Sequence, residues 1–65
     1  MLTTTEVFLC DHAGGRLYAI VDELTLTYRV VLRSPEGRDA TLRPNLASLR
    51  EARAWAHRHY PPRRP

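Results

Sequence analysis

Guanidinium groups are the most abundant chemistry-bearing side chains in this sequence of 65 residues. All ten basic residues are arginine, and the chain contains no lysine. Arg29 and Arg33 alternate with Val31, and Arg43 follows on the next predicted strand, so two-residue spacing places the three arginines on one sheet face. Guanidinium groups bind phosphate through bidentate forks and can bind the acceptor edge of guanine. The pattern predicts a nucleic-acid contact surface, and the alternative is an ordinary solvated face.

The basic charge is concentrated in the second half of the chain. Residues 1–28 carry one arginine and four carboxylates, whereas residues 29–65 carry nine arginines and three carboxylates. The formal net charge of +3 therefore conceals an acidic first half and a basic second half. Arginines of the terminal tail can add phosphate contacts, and a tyrosine joins the arginine-bearing face if its neighbours on the same strand point inward. The predicted nucleic-acid-binding residues are Arg29, Arg33, Arg38, Arg43, Tyr18, Arg63 and Arg64.

The histidines and the cysteine do not have the spacing of a metal site. Cys10 and His12 are two residues apart and share a face only if the first strand continues through them. His57 and His59 are two apart on a predicted helix, about 200° around its axis, and cannot chelate one ion together. No metal and no cofactor are therefore predicted.

The sequence also lacks an arrangement suited to catalysis. Cys10, Asp11 and His12 are consecutive, and adjacent residues on an extended chain point to opposite sides. Gly14 and Gly15 are adjacent, but the lysine and helix of a phosphate-binding loop do not follow them. We therefore predict a protein that is not an enzyme.

Four β-strands are predicted to position the arginines. Apolar and β-branched residues form the strands, and glycine, proline or acidic residues mark the turns between them. The turn Ser34 to Gly37 has proline in the second position and glycine in the fourth, as a type I turn prefers. Pro44 is predicted to end the last strand. The predicted strands are Glu6 to Cys10, Arg16 to Val21, Leu26 to Arg33 and Arg38 to Arg43.

A helix is predicted from Leu49 to about Tyr60. Ser48 and Glu51 form a capping box, in which Ser48 accepts from the amide of Glu51 and Glu51 reaches back to the amide of Ser48. The run has no internal glycine or proline, and Pro61 ends it. Helical periodicity divides the residues into two arcs. The arc predicted to pack on the sheet contains Leu49, Ala52, Trp55, Ala56, His59 and Tyr60, and the solvent-facing arc contains Arg50, Arg53, His57 and Arg58.

These elements predict the α+β class with the order ββββα. An antiparallel sheet of three to four strands packs by one face on a single C-terminal helix. Residues 1–60 form one small domain, and residues 61–65 form a flexible Pro/Arg tail. The second sheet face has no cover within the chain, so it must be polar or must meet a partner.

The second half of the chain resembles a known DNA-binding family. The strand Tyr28 to Arg33, the turn Ser34 to Gly37 and the helix start Ser48 to Ala56 are similar to the N-terminal arm-type DNA-binding domain of phage integrases. The resemblance covers residues 27–59. It implies an AP2-like fold, in which a three-stranded sheet lies in the DNA major groove and a helix backs it. This chain departs from the family pattern at Asp39, Ala40 and Leu42, where the family has more basic residues.

Two functions follow from these patterns. The first is a non-enzymatic nucleic-acid-binding module, with DNA favoured over RNA. The second is a small protein-binding module, such as a phage or mobile-element accessory or inhibitor protein, or a subunit that forms a homodimer. Val31 on the uncovered face and the unpaired sheet edges motivate the second function. One cysteine, no signal peptide and no apolar run long enough for a membrane span predict a cytoplasmic location without membrane contact.

Overall fold

The computed structural model describes residues 5–12 and 14–61 and confirms the predicted α+β fold. Four strands form one antiparallel sheet in the order β1-β2-β3-β4, and a single helix follows them. The elements are β1 (Glu6–His12), β2 (Gly15–Asp22), β3 (Thr27–Arg33), β4 (Asp39–Leu46) and α1 (Leu49–His59).

The core lies between α1 and one face of the sheet. Leu17, Ala19 and Val30 on the central strands are 0% exposed. The helix meets them through Ala52 and Ala56, whose short side chains allow a close approach. The helix packs against β2, β3 and β4, and β1 lies largely outside its footprint. This placement leaves the helix side of β1 open.

The first and the last of the three hairpin turns differ in how well the sequence predicts them. Gly37 donates its N–H to the Ser34 carbonyl at 2.9 Å and has a φ of 91°, so the predicted turn from Ser34 to Gly37 is confirmed. The first turn is tighter than predicted, because β1 extends to His12 and β2 already begins at Gly15. The first hairpin is therefore longer than the sequence pattern indicates.

The predicted start of the third strand at Leu26 is wrong. Leu26 has a φ of 56° and is 73% exposed, and its N–H donates to the Asp22 carbonyl at 2.7 Å. The Asp22 side chain also accepts from the Leu24 N–H at 3.0 Å. This local hydrogen bonding closes the turn, so Leu26 does not join the inward-facing residues and β3 begins at Thr27.

The prediction that Pro44 ends the last strand is also wrong, because β4 continues to Leu46. Among the described residues β4 has a neighbour on one side only, so a residue without an N–H is tolerated there. The pairing with β3 shifts register on both sides of Val30, and Asn45 has a φ of 59°. The outer strand is thus irregular around Pro44.

The helix cap matches the predicted capping box in one of its two hydrogen bonds. Ser48 Oγ accepts from the Glu51 N–H at 3.1 Å, as predicted. The Glu51 carboxylate accepts from the N–H of Ala47 at 3.0 Å, so the predicted bond to the Ser48 amide is wrong. At the other end, Tyr60 caps the helix by donating its N–H to the Ala56 carbonyl oxygen at 2.7 Å.

One residue of the predicted inward arc faces solvent. His59 is exposed, and its ring lies 4.5 Å from the Trp55 ring, centroid to centroid. The solvent-facing arc is confirmed, because Arg50, Arg53 and Arg58 are all exposed. In the described part of the chain, no helix combines the length and apolar content needed to cross a bilayer.

Candidate nucleic-acid interface

The sheet face away from α1 carries the predicted interface, and we call it the open face. Cross-strand pairing joins its residues, for example Phe8 to Tyr18 and Tyr18 to Val31. Leu17 and Ala19 are buried under the helix, so the alternation places Tyr18 on the open face as predicted. The open face consists of Glu6, Phe8, Arg16, Tyr18, Ile20, Arg29, Val31, Arg33, Asp39 and Thr41.

Two apolar residues of the open face are buried although the helix lies on the other side. Ile20 is 3% exposed and Val31 is 1% exposed. The rings of Phe8 and Tyr18 stack edge to face beside them, with centroids 5.7 Å apart. The sequence predicts that this face must be polar or must meet a partner. The structure shows a third arrangement, in which aromatic and charged side chains of the chain itself cover its apolar residues.

Arg33 is the centre of this covering layer. Its guanidinium donates to Asp39 from Nε at 2.7 Å and from Nη2 at 3.1 Å. It also donates to Glu6 from Nη1 at 3.0 Å and from Nη2 at 2.8 Å. Its central carbon lies 4.5 Å from the centroid of the Tyr18 ring. One guanidinium therefore joins β1, β3 and β4 across the open face.

The ion pairs shift the pKa values of Arg33, Glu6 and Asp39. Hydrogen bonds from Arg33 hold the pKa of Glu6 and the pKa of Asp39 below their ordinary values. The bonds to Asp39 first, and then those to Glu6, raise the pKa of Arg33 above its ordinary value. The three groups thus stay charged together over the neutral pH range.

The geometry restricts what Arg33 can do as a predicted nucleic-acid ligand. Its five N–H donors are arranged as forks, and the two carboxylates occupy four of them. A phosphate or a guanine base would have to displace Glu6 or Asp39 to form a bidentate pair. In the free protein Arg33 connects three strands of the sheet.

Two other predicted arginines present accessible charge, one on the open face and one in a turn at its end. Arg29 pairs with Ile20 and is exposed, and Arg38 is exposed in the turn between β3 and β4. Neither has a carboxylate oxygen within 4 Å among residues 5–12 and 14–61. The positive field of Arg29 still contributes to the lowered pKa of Asp39. Their guanidinium groups can therefore take an external anion.

Arg43 does not lie on the open face with Arg29. Arg43 pairs with Val30, which belongs to the core under the helix, so the predicted alignment of Arg43 with Arg29 and Arg33 is wrong. The register shift beside Val30 is the physical reason, because one extra residue in β4 ends the simple alternation. Arg63 and Arg64 lie outside the described residues.

Arg16 is a residue of the open face that the sequence reasoning missed. It pairs with Arg33 across β2 and β3, and its Nε lies 3.5 Å from Asp11 in a well-exposed pair. Such exposed pairs contribute little and exchange readily with other anions. Alternation with Tyr18 on the same strand was the signal that could have identified Arg16.

Cys10 and His12 of β1 contact Tyr60 at the end of α1. The Cys10 thiol lies 3.9 Å from the Tyr60 carbonyl, and burial, with a smaller effect of Asp11, raises the pKa of this thiol. The His12 ring packs edge-on against the Tyr60 ring at 4.9 Å. Residues 5–12 and 14–61 contain no group of three or more candidate metal ligands. These side chains serve packing between β1 and the end of α1.

Comparison with protein-family models, with curated proteins and with solved structures finds no match to this chain. The site must therefore be interpreted from its own geometry.

The Arg33 ion pairs predict a specific loss of stability in acid. The pKa values of Glu6 and Asp39 are lowered in the folded state. Their contribution is therefore present above their unfolded pKa values and is lost as pH falls through the folded ones. We expect the melting temperature of the native chain to fall as acid protonates these carboxylates. The fall should be smaller in Arg33→Gln, where the pairs are already absent.

Circular-dichroism melting curves between neutral and strongly acidic pH measure this difference. Because the pairs are partly exposed, the effect should be modest and should shrink at high salt. Arg38→Gln is the matched control, since Arg38 has no carboxylate within 4 Å among the described residues. Equal acid dependence in the native chain and in Arg33→Gln would contradict this account of the ion pairs.

Proposed function

We propose that this protein is a non-enzymatic nucleic-acid-binding module that contacts the phosphate backbone with its open face. The observation that carries the proposal is the accessible charge of Arg29 and Arg38, which have no carboxylate within 4 Å in the described chain. Binding of such groups to phosphates releases condensed counterions and so favours association.

A concave site at one end of the open face supports the proposal. A pocket of about 540 Å³ lies between the turn that joins β1 to β2 and the turn that joins β3 to β4. Its lining includes Arg16, Tyr18 and Arg33. Arg16 forms only an exposed pair with Asp11, and one N–H of Arg33 is not used by Glu6 or Asp39. A phosphate group in this pocket would meet two guanidinium groups while the ion pairs of Arg33 stay intact.

DNA is favoured over RNA as the partner. The resemblance of residues 27–59 to the arm-type domain of phage integrases suggests a sheet that enters the major groove. A sheet bearing arginines can fit the wide major groove of B-form DNA, whereas the major groove of A-form RNA is too deep and narrow for it. In this arrangement the ion pairs of Arg33 would fix β1, β3 and β4 relative to one another. The phosphates would be contacted by Arg29, Arg38 and Arg16.

Fluorescence anisotropy with a labelled mixed-sequence duplex tests the proposal. We expect binding by the native chain at about 50 mM salt, with an affinity that falls steeply as salt increases. Arg29→Ala combined with Arg38→Ala should weaken binding about tenfold or more and reduce the salt slope by about two, because two phosphate contacts are lost.

Arg50→Ala is the matched control, because Arg50 is an exposed arginine on the helix and not on the open face. It should leave duplex binding nearly unchanged. No binding at micromolar protein, or an equal loss in Arg50→Ala, would overturn the proposal. Stronger binding of double-stranded RNA would keep the class of partner and overturn the preference for DNA.

A further inference from the structure

A groove separates β1 from the helix on the side of the sheet that α1 covers. The helix packs against β2, β3 and β4, so the space beside β1 remains open. The groove has a volume of about 640 Å³. Its lining comprises Phe8, Leu9 and Cys10 from β1 and five helix residues: Arg53, Ala54, Ala56, His57 and Arg58.

The strand side of the groove is apolar. Leu9 and Cys10 pack on the helix side of β1, whereas the ring of Phe8, 49% exposed, stacks on Tyr18 at the open face. Leu9 is the extra residue of a register shift between Phe8 and Cys10, so it is not held in a regular pair with β2. Leu9, Cys10, Ala54 and Ala56 form the apolar floor of the groove.

The helix side of the groove is basic. Arg53, His57 and Arg58 are exposed, and no carboxylate lies within 4 Å of either arginine in the described chain. The only carboxylate of α1 is that of Glu51, which accepts from the Ala47 N–H at the other end of the helix. A ligand that carries carboxylates beside apolar groups would be complementary to this combination of floor and rim.

The backbone of β1 adds a third element of recognition. Among the described strands, β1 has β2 on one side only, so its outer edge is open to pairing with an added strand. An extended peptide at such an edge forms main-chain hydrogen bonds and directs alternate side chains to each face. One set of side chains would then enter the groove.

We propose that this groove binds an extended segment of a partner protein in which carboxylates alternate with apolar residues. The segment pairs with the outer edge of β1, its carboxylates face the groove and pair with Arg53 and Arg58, and its alternate apolar side chains lie beside Phe8 on the open face. The site is distinct from the open-face arginines, so it extends the proposed function to a second partner.

Charge and shape favour this occupant over two others. A second copy paired edge to edge through β1 about a twofold axis would bring two basic rims together, and like charges repel. Single-stranded nucleic acid binds through rows of aromatic stacking platforms, whereas the described residues that line this groove offer no Phe, Tyr or Trp ring besides Phe8, whose ring stacks on Tyr18 at the open face. A strand with carboxylates on the groove side and apolar side chains beside Phe8 matches both faces of β1.

Anisotropy titrations of the full chain with labelled peptides test the proposal. The probes are fluorescein-labelled octapeptides in which glutamate alternates with valine, leucine or phenylalanine, and the control peptides carry lysine in place of glutamate. We expect the glutamate peptides to bind and the lysine peptides not to bind. Arg53→Glu combined with Arg58→Glu should weaken binding about tenfold or more, since each rim charge is reversed.

Arg50→Glu is the matched control on the same helix, because Arg50 does not line the groove. It should change peptide affinity by less than about twofold, which is close to the ordinary effect of a distant surface charge. Both variants replace exposed residues, and circular dichroism verifies that they fold. Amide hydrogen exchange supplies an independent readout, because an added strand should protect amides of β1.

Several results would overturn this proposal. These are equal binding of the lysine peptides, no binding of any glutamate peptide, or binding without protection of β1. Displacement of the peptide by single-stranded DNA with the same dependence on Arg53 and Arg58 would assign the groove to nucleic acid. Self-association through β1 in sedimentation experiments would assign it to a second copy. Duplex binding by Arg29 and Arg38 is measured separately, so either proposal can fail alone.

Discussion

Replacing Gly15 with alanine should unfold the domain or leave it severely destabilised. Gly15 has a φ of 146°, which L-residues rarely adopt. A Cβ atom at this position would lie 2.0 Å from the Arg33 carbonyl oxygen and 2.9 Å from the Arg33 carbonyl carbon. Both atoms are backbone, so the pairing of β2 with β3 would have to shift. Backbone strain alone costs about 1–3 kcal/mol, and a domain of this length has on the order of 3–10 kcal/mol in total.

Gly14→Ala is a closely matched control for this prediction. A Cβ atom on Gly14 would meet only Leu32 Cδ2, at 3.6 Å, which is ordinary van der Waals contact. Urea denaturation followed by circular dichroism should show a large fall in midpoint for Gly15→Ala and a small change for Gly14→Ala. A Gly15→Ala protein as stable as Gly14→Ala would show that the turn can rearrange without cost.

Leu17→Ala should also remove most of the stability of the domain. Leu17 is 0% exposed and lies at the centre of the core between β2 and α1. Truncation of a buried leucine costs about 2–5 kcal/mol, because transfer free energy is lost and a cavity remains. That cost is comparable with the whole free energy of unfolding expected for 65 residues, on the order of 3–10 kcal/mol.

Leu24→Ala is the control for the same chemical change at the surface. Leu24 is 95% exposed in the turn between β2 and β3. Its truncation should alter the melting temperature by no more than about 2–4 °C, as is usual for exposed sites in a domain of this size. If Leu17→Ala and Leu24→Ala melted at similar temperatures, the burial of Leu17 would not be the main source of core stability.

Local sequence signals predicted the fold where one signal acted alone. The turn from Ser34 to Gly37 and the Ser48 cap are set by residues within four positions, and both are confirmed. Leu26 and Pro44 were predicted wrongly because two signals competed at each. The Asp22 turn overrode the apolar alternation at Leu26, and position at a sheet edge overrode the strand-ending tendency of Pro44.

The candidate site was less predictable than the fold, because its key interactions join residues far apart in sequence. Alternation correctly placed Arg29 and Tyr18 on the open face. The ion pair between Arg33 and Glu6 spans 27 residues, and no periodicity in one strand indicates it. The extra residue in β4 places Arg43 on the other sheet face from Arg29 and Arg33. It too depends on how β3 and β4 pair and not on either strand alone. The number of arginines in the sequence does not show which guanidinium groups pair with carboxylates and which are accessible to a ligand.

The network around Arg33 also separates two uses of the same side-chain type. Arg33 forms ion pairs with Glu6 and Asp39 within the chain. Arg29 and Arg38 have no such neighbours among the described residues. A variant of Arg33 is therefore expected to affect stability and binding together, whereas variants of Arg29 and Arg38 should affect binding with little change in stability. Measuring both quantities on each variant distinguishes the two uses.

The two edges of the sheet are unequal, and this limits how copies of the chain can assemble. On β4, Pro44 provides no N–H, and the register shifts around Val30 and the φ of 59° at Asn45 bend the strand away from regular geometry. Of the two edges of the described sheet, β1 therefore accepts a guest strand more readily than β4. Growth of a fibre needs an accepting edge at both ends of every unit. We therefore expect edge-to-edge association through the described strands to favour pairs of copies over fibres, which leaves the edge of β1 for a partner.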